Sequence, residues 1–166
     1  MSATFALDWD DHSFHGRMWR DPTRLLSYIS ECLSGIRRFT GKSHITVAEH
    51  SCIVADTVAA AGCGRETIRY ALLHDATEAF MGDVPRPLKR LMPSYSALEE
   101  QVLEEIYTAL GCGLPSDDIR HAVKAADDTA CHDELKRIYQ TKTFALPPMT
   151  ARKQWWRAYN DNEHTA

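Results

Sequence analysis

His74-Asp75, within Ala71-Leu72-Leu73-His74-Asp75-Ala76-Thr77-Glu78, places two ionisable side chains next to each other in an otherwise apolar run. Burying such groups without partners is strongly unfavourable. A divalent cation offsets that penalty, because imidazole nitrogen and carboxylate oxygen are both metal donors. Two further residues extend the pattern: His50 in Val47-Ala48-Glu49-His50-Ser51, and Asp127 in Val123-Lys124-Ala125-Ala126-Asp127. Any one of these alone reads as a hydrogen-bonded core residue. All four together, on the inward faces of three helices, read as a mixed nitrogen and oxygen site for a first-row divalent metal (Co, Mn, Zn, Ni or Fe), with positions left for water or substrate.

The elements that must carry these residues follow from periodicity and punctuation. Asp21-Pro22 supplies an N-cap and a first-turn proline, and Leu25, Ile29, Leu33 and Ile36 recur at helical spacing, so a first helix runs from about Pro22 to Ile36. Thr46-x-x-Glu49 forms a capping box for a second helix whose stripe of Val47, Val54, Val58 and Ala61 includes His50. Gly62-Cys63-Gly64 ends it. A third helix begins near Arg65 and is closed by Gly82; Ile68, Ala71, Leu72, Asp75 and Ala79 share its inner face, and Glu78 stands four residues on from His74, on the same side. The prolines of Asp83-Val84-Pro85-Arg86-Pro87 then force a rigid loop.

A short basic helix at Leu88-Lys89-Arg90-Leu91 follows, and Ser96-x-x-Glu99 reads as the cap of a helix with Leu98, Val102, Ile106 and Ala109 on one stripe, stopping at Gly111. After Leu114-Pro115-Ser116, Ile119, Val123, Ala126 and Ala130 form the next stripe, with Asp127 at its edge and Asp128 turned toward solvent. Residues from Thr150 to Tyr159, with Trp155, Trp156 and Tyr159, make a last helix. Weak alternation before residue 20 suits a small β-hairpin. The expectation is one all-α domain over residues 1–166: a hairpin and loop in 1–21, a helical bundle in 22–140 and a C-terminal helical extension in 141–166.

Composition restricts the class of function. The 166 residues are 44% hydrophobic and 25% charged, as in a soluble globular domain, and the net charge of −4 offers no broad attraction for nucleic acid or an anionic membrane. Cys32, Cys52, Cys63, Cys112 and Cys131 are odd in number and never form a Cys-x-x-Cys pair, which reads as reduced thiols in a cytoplasmic protein. No apolar run reaches the roughly 18 residues of a membrane span. Asp8, Asp10 and Asp11 stand where a signal peptide needs basic and then apolar residues.

The ordered set His50, His74-Asp75, Asp127 resembles the signature of the HD-domain metal-dependent phosphohydrolases. The longer blocks Val47-Ala48-Glu49-His50-Ser51, His74-Asp75-Ala76-Thr77-Glu78 and Gly82-Asp83-Val84-Pro85-Arg86-Pro87-Leu88-Lys89 resemble the subgroup that holds bacterial 5′-deoxynucleotidases and small phage dATP triphosphohydrolases. The resemblance covers roughly residues 22–140. It implies an HD-domain helical bundle in which His50, His74, Asp75 and Asp127 hold the metal, while Glu78 and Asp83 act at the attacking water, one as base and the other as positioner. A second Mg or Zn ion can accompany the phosphates.

The same resemblance makes Arg38 the first candidate phosphate ligand, its planar fork suited to bidentate contact. Lys89 and Lys124 come next, and Trp19 is placed to stack on a purine or to pack a hairpin against the domain. The implied activity is hydrolysis of a deoxynucleotide, dATP to deoxyadenosine and triphosphate, in a homo-oligomer. Two rivals are a 5′-deoxynucleotidase acting on deoxynucleoside monophosphates and a non-catalytic nucleotide-binding module of the same fold.

Overall fold

The computed structural model describes residues 19–140 and 148–161. The expected N-terminal hairpin, apart from its last residues, lies outside that range. Within it the chain is helical, and the one isolated β-bridge, Arg37 to Thr46, closes a loop rather than building a sheet.

Helix α1 (Pro22–Gly35) starts where Asp21 accepts hydrogen bonds from the Thr23 and Arg24 amides, and it buries Leu25, Ile29 and Leu33 completely. Helix α2 (Val47–Ala60) opens with the full capping box: Glu49 N–H bonds to the Thr46 hydroxyl, and the Thr46 amide bonds to the Glu49 carboxylate. In the connection, Arg38 N–H donates to Ile45 O, while Phe39 and Thr40 take left-handed φ values of 57° and 54°. That is an unfavourable conformation for bulky and β-branched side chains, held by the surrounding contacts.

Helix α3 (Arg65–Leu73) does not run on to Gly82 as the periodicity predicts. It stops at Leu73, residues 74–77 form a turn, and a short α4 (Glu78–Met81) follows. The reason lies in two carbonyls at the end of α3. His74 Nδ1 donates to Ala71 O at 2.7 Å, and the indole Nε1 of Trp155 donates to Leu72 O at 3.2 Å. With Leu72 O occupied, Ala76 N–H bonds three residues back to Leu73 O, and Glu78 N–H bonds in the same way to Asp75 O. This tight winding aligns residues three apart and brings Glu78 into register with Asp75.

Helix α5 (Arg86–Lys89) begins inside the proline loop, with Pro87 in its first turn. Helix α6 (Pro93–Ala109) starts three residues before the expected Ser96 cap, because Pro93 occupies the first helical position, where its missing N–H is no loss. Glu99 is therefore free of capping and pairs with Lys89. Helix α7 (Asp117–Gln140) buries Val123, Ala126 and Ala130 as expected, and α8 (Pro148–Asp161) buries Ala151, Trp155 and Tyr159.

Helix α2 is the centre of the assembly and packs against α1, α3, α7 and α8. Trp155 is fully buried and stacks on Tyr159 at 5.5 Å, so this part of the C-terminal aromatic surface is used within the chain. No helix among the described residues is long and apolar enough to cross a membrane.

Candidate metal centre

Two helices and the turn between α3 and α4 bring the four expected ligands close together. His50 projects from the first turns of α2, His74 and Asp75 from the turn after α3, and Asp127 from the middle of α7. His50 Nε2 lies 3.2 Å from Asp127 Oδ1 and 3.7 Å from Asp75 Oδ2; His74 Nε2 lies 3.2 Å from Asp75 Oδ2 and 4.0 Å from Asp127 Oδ1. The two imidazole centroids are 5.2 Å apart. His50, His74 and Asp75 each offer a donor atom within 4.8 Å of the others, a group that could hold a metal ion.

The outer nitrogens of both rings are already committed. His50 Nδ1 donates to Glu134 Oε1 at 2.6 Å, and His74 Nδ1 donates to Ala71 O, since a carboxylate and a carbonyl can only accept. Each ring therefore turns Nε2 toward the centre, the nitrogen that coordinates a cation once any proton on it has left. His74 Nε2 is buried without a hydrogen-bond partner. An imidazole nitrogen that makes no hydrogen bond yet faces two carboxylates fits a resident cation.

The charges behave accordingly. Burial would raise Asp75, yet His74, His50 and Arg38 hold it well below the usual carboxylate range. Asp127 is also opposed by burial but is brought down to about 2, first by its hydrogen bond to His50. Burial would lower His50, and the carboxylates of Asp127 and Glu134 raise it instead. Glu78 goes the other way. It is buried, its Oε2 has no hydrogen-bond partner, and burial followed by the charges of Asp75 and Asp83 pushes it well above the ordinary range. Carboxyls whose surroundings push them apart are the usual mark of acid and base roles.

The remaining expected residues divide into those near the centre and those turned elsewhere. Asp83 Oδ2 accepts from the Thr40 amide at 3.0 Å and so anchors the strained loop after Arg38, while its charge acts on Glu78. Arg38 is 7% exposed and braced by two acids, Glu134 Oε2 at 2.9 Å and Asp75 Oδ2 at 3.2 Å. Lys89 pairs with Glu99 at 2.6 Å, and Lys124 with Asp128. Trp19 stacks on Phe80 at 5.4 Å and packs against the core, while the hairpin it was expected to pack lies outside the described residues.

Glu134 escaped the sequence reading, as did the acidic partners of Arg86 among the cations of the proline loop. Glu134 is 1% exposed and joins His50 to Arg38; its position seven residues after Asp127, two helical turns along the same face, was the available signal. Arg86 reaches from α5 to Asp127 and Asp128 with contacts of 2.5 Å each and ties the proline loop to α7. A cavity of about 270 Å3 opens beside the centre. Its walls include Tyr70, Leu103, Tyr107, Ile119 and Val123, with Lys124 and Arg120 also lining it and His74, Asp75 and Asp127 reaching into it. The volume is just under the roughly 300–1,000 Å3 of typical small-molecule sites.

No family model matches the chain. It is 38% identical over 93 residues to the uncharacterized protein YfdR of Escherichia coli, an alignment covering 55% of this chain and 49% of that protein. It is 32% identical over 131 residues to an uncharacterized protein of Rhodobacter capsulatus, covering 71% of this chain and 66% of that protein. The chain thus spans about half of the first relative's length and just under two thirds of the second's.

Proposed function

We propose that this chain is a metal-dependent phosphohydrolase of the HD-domain kind, acting on deoxynucleotides and first of all on dATP, released as deoxyadenosine and triphosphate. The observation that carries the reading is the meeting of His50, His74, Asp75 and Asp127 with both imidazoles presenting Nε2 inward, one of them otherwise unpartnered. A divalent ion held there supplies Lewis-acid polarisation of a phosphoryl oxygen and a water of lowered pKa.

The residues around it have the remaining tasks. Glu78 is the proton-handling group: its buried carboxyl carries a proton while Asp75 repels its charged form, and it becomes a base once that charge is neutralised. Asp83 holds the Arg38 loop through Thr40 and sets the field at Glu78. The aromatic and aliphatic walls of the adjoining cavity suit a base and sugar, with Lys124 and Arg120 at hand for anionic oxygens.

One observation favours the second reading, a 5′-deoxynucleotidase acting on monophosphates. Each cation expected to receive phosphates already has acidic partners: Arg38 has Glu134 and Asp75, Lys89 has Glu99, and Lys124 has Asp128. A polyphosphate tail has to displace these pairs, whereas a single phosphate at the metal need not. Metal-reconstituted protein incubated separately with dATP and dAMP separates the two readings. Triphosphate from dATP supports the first, orthophosphate from dAMP alone supports the second, and turnover of neither leaves the non-catalytic binding module.

A further inference from the structure

We propose that Glu134 is a positioning residue of the metal centre, fixing a nitrogen ligand directly and an oxygen ligand through Arg38. The inference rests on the metal reading above and deepens it. Glu134 lies on the same face of α7 as Asp127, one face of the helix thereby supplying a ligand and the brace of another. Its Oε1 accepts from His50 Nδ1 at 2.6 Å and its Oε2 accepts from Arg38 Nε at 2.9 Å, while Arg38 Nη1 continues to Asp75 Oδ2 at 3.2 Å.

A carboxylate that is 1% exposed is retained only when charge-assisted hydrogen bonds compensate its desolvation. Here the two compensating donors lead to two different ligands of the same centre. Glu134 keeps the proton of His50 on Nδ1, so Nε2 faces inward, and its charge on the imidazole increases the donor strength of Nε2. It also shares the Arg38 guanidinium with Asp75. Without Glu134, that buried cation falls to Asp75 alone and competes with a metal for the same carboxylate oxygen. A purely architectural ion pair predicts something different: lower stability, with the affinity of the folded protein for metal unchanged.

Two measurements decide. In the wild-type protein with 15N-labelled histidine, NMR before and after addition of Zn(II) should show His50 protonated on Nδ1 and perturbed by the ion at Nε2. Coordination through Nδ1 overturns the proposal, and this arm needs no variant to fold. Co(II) titration of the wild type, Glu134→Gln and Glu134→Asp then reads affinity and the visible absorption of the bound ion. Affinity should weaken about 10- to 100-fold in Glu134→Gln with a changed band, and recover in part in Glu134→Asp. A Glu134→Gln protein with wild-type affinity and spectrum removes Glu134 from the centre while leaving the metal reading intact. A wild-type protein that takes up no Co(II) removes both.

Discussion

Two side chains finish the same helix, and they finish it to opposite ends. Trp155 and His74 donate to neighbouring carbonyls at the end of α3, Leu72 O and Ala71 O. The indole has no other polar atom, is fully buried and stacks on Tyr159, so every group it brings is satisfied. The imidazole has a second nitrogen, which is buried, makes no hydrogen bond and lies 3.2 Å and 4.0 Å from two carboxylate oxygens. One side of the helix end is closed and stabilises the fold. The other holds an unmet bonding capacity that a cation can use.

The sharpest break in that comparison is predicted for Trp155→Ala. Loss of a fully buried indole should lower unfolding free energy by about 3–5 kcal/mol in a denaturant titration, while the fraction that remains folded keeps its metal stoichiometry. His74→Ala should do the reverse. Metal affinity should fall by more than about 100-fold, since loss of a ligand exceeds the loss of an outer-shell partner, with the metal-free protein destabilised less than in Trp155→Ala. A His74→Ala protein destabilised as severely as Trp155→Ala would show that the imidazole is a core residue after all.

Glu78→Gln sharpens the same contrast inside the site. Metal uptake should persist and hydrolysis should fall about 100- to 10,000-fold, with a gain in stability because a buried, repelled carboxyl is removed; steady-state rates and melting curves read both. Acidity gives a smaller effect. Asp127 and Glu134 raise His50, so a proton on its ring must leave before the ion can bind, and measured metal affinity should climb as pH rises through that titration. Arg86→Ala is expected to matter least. Its pair with Asp127 and Asp128 is nearly half exposed on the arginine side, and the change in stability should stay below about 1 kcal/mol.

What the sequence made legible follows from locality. The capping box at Thr46, the proline at the start of α1 and the stripes of α2 and α7 are set by neighbours within a few residues, and they placed His50 and Asp127 correctly on their helices. The end of α3 is different. Its position depends on Trp155, which is 83 residues away from the carbonyl it occupies, and no local pattern reports that contact. The difference reaches the site, because the tighter turn bonds the Glu78 amide to Asp75 O, and the charge of Asp75 acts on the buried Glu78 carboxyl.

Ser96 was misread for a simpler reason, since Pro93 starts α6 earlier and leaves Glu99 to pair with Lys89. Charge partners were the least legible feature. Arg38, Lys89 and Lys124 are visible as cations in the sequence, but the acids that already hold them come from distant helices or from the next turn, and only packing selects which.

The central claim is that His50, His74, Asp75 and Asp127 together bind one divalent ion. Chelator-stripped protein titrated with Co(II), its visible absorption followed to saturation beside the His74→Ala variant, tests it most directly. The account predicts one equivalent per chain for the wild type and no saturable band at comparable concentration for the variant; an absent band in the wild type, or the same band in both, would contradict it.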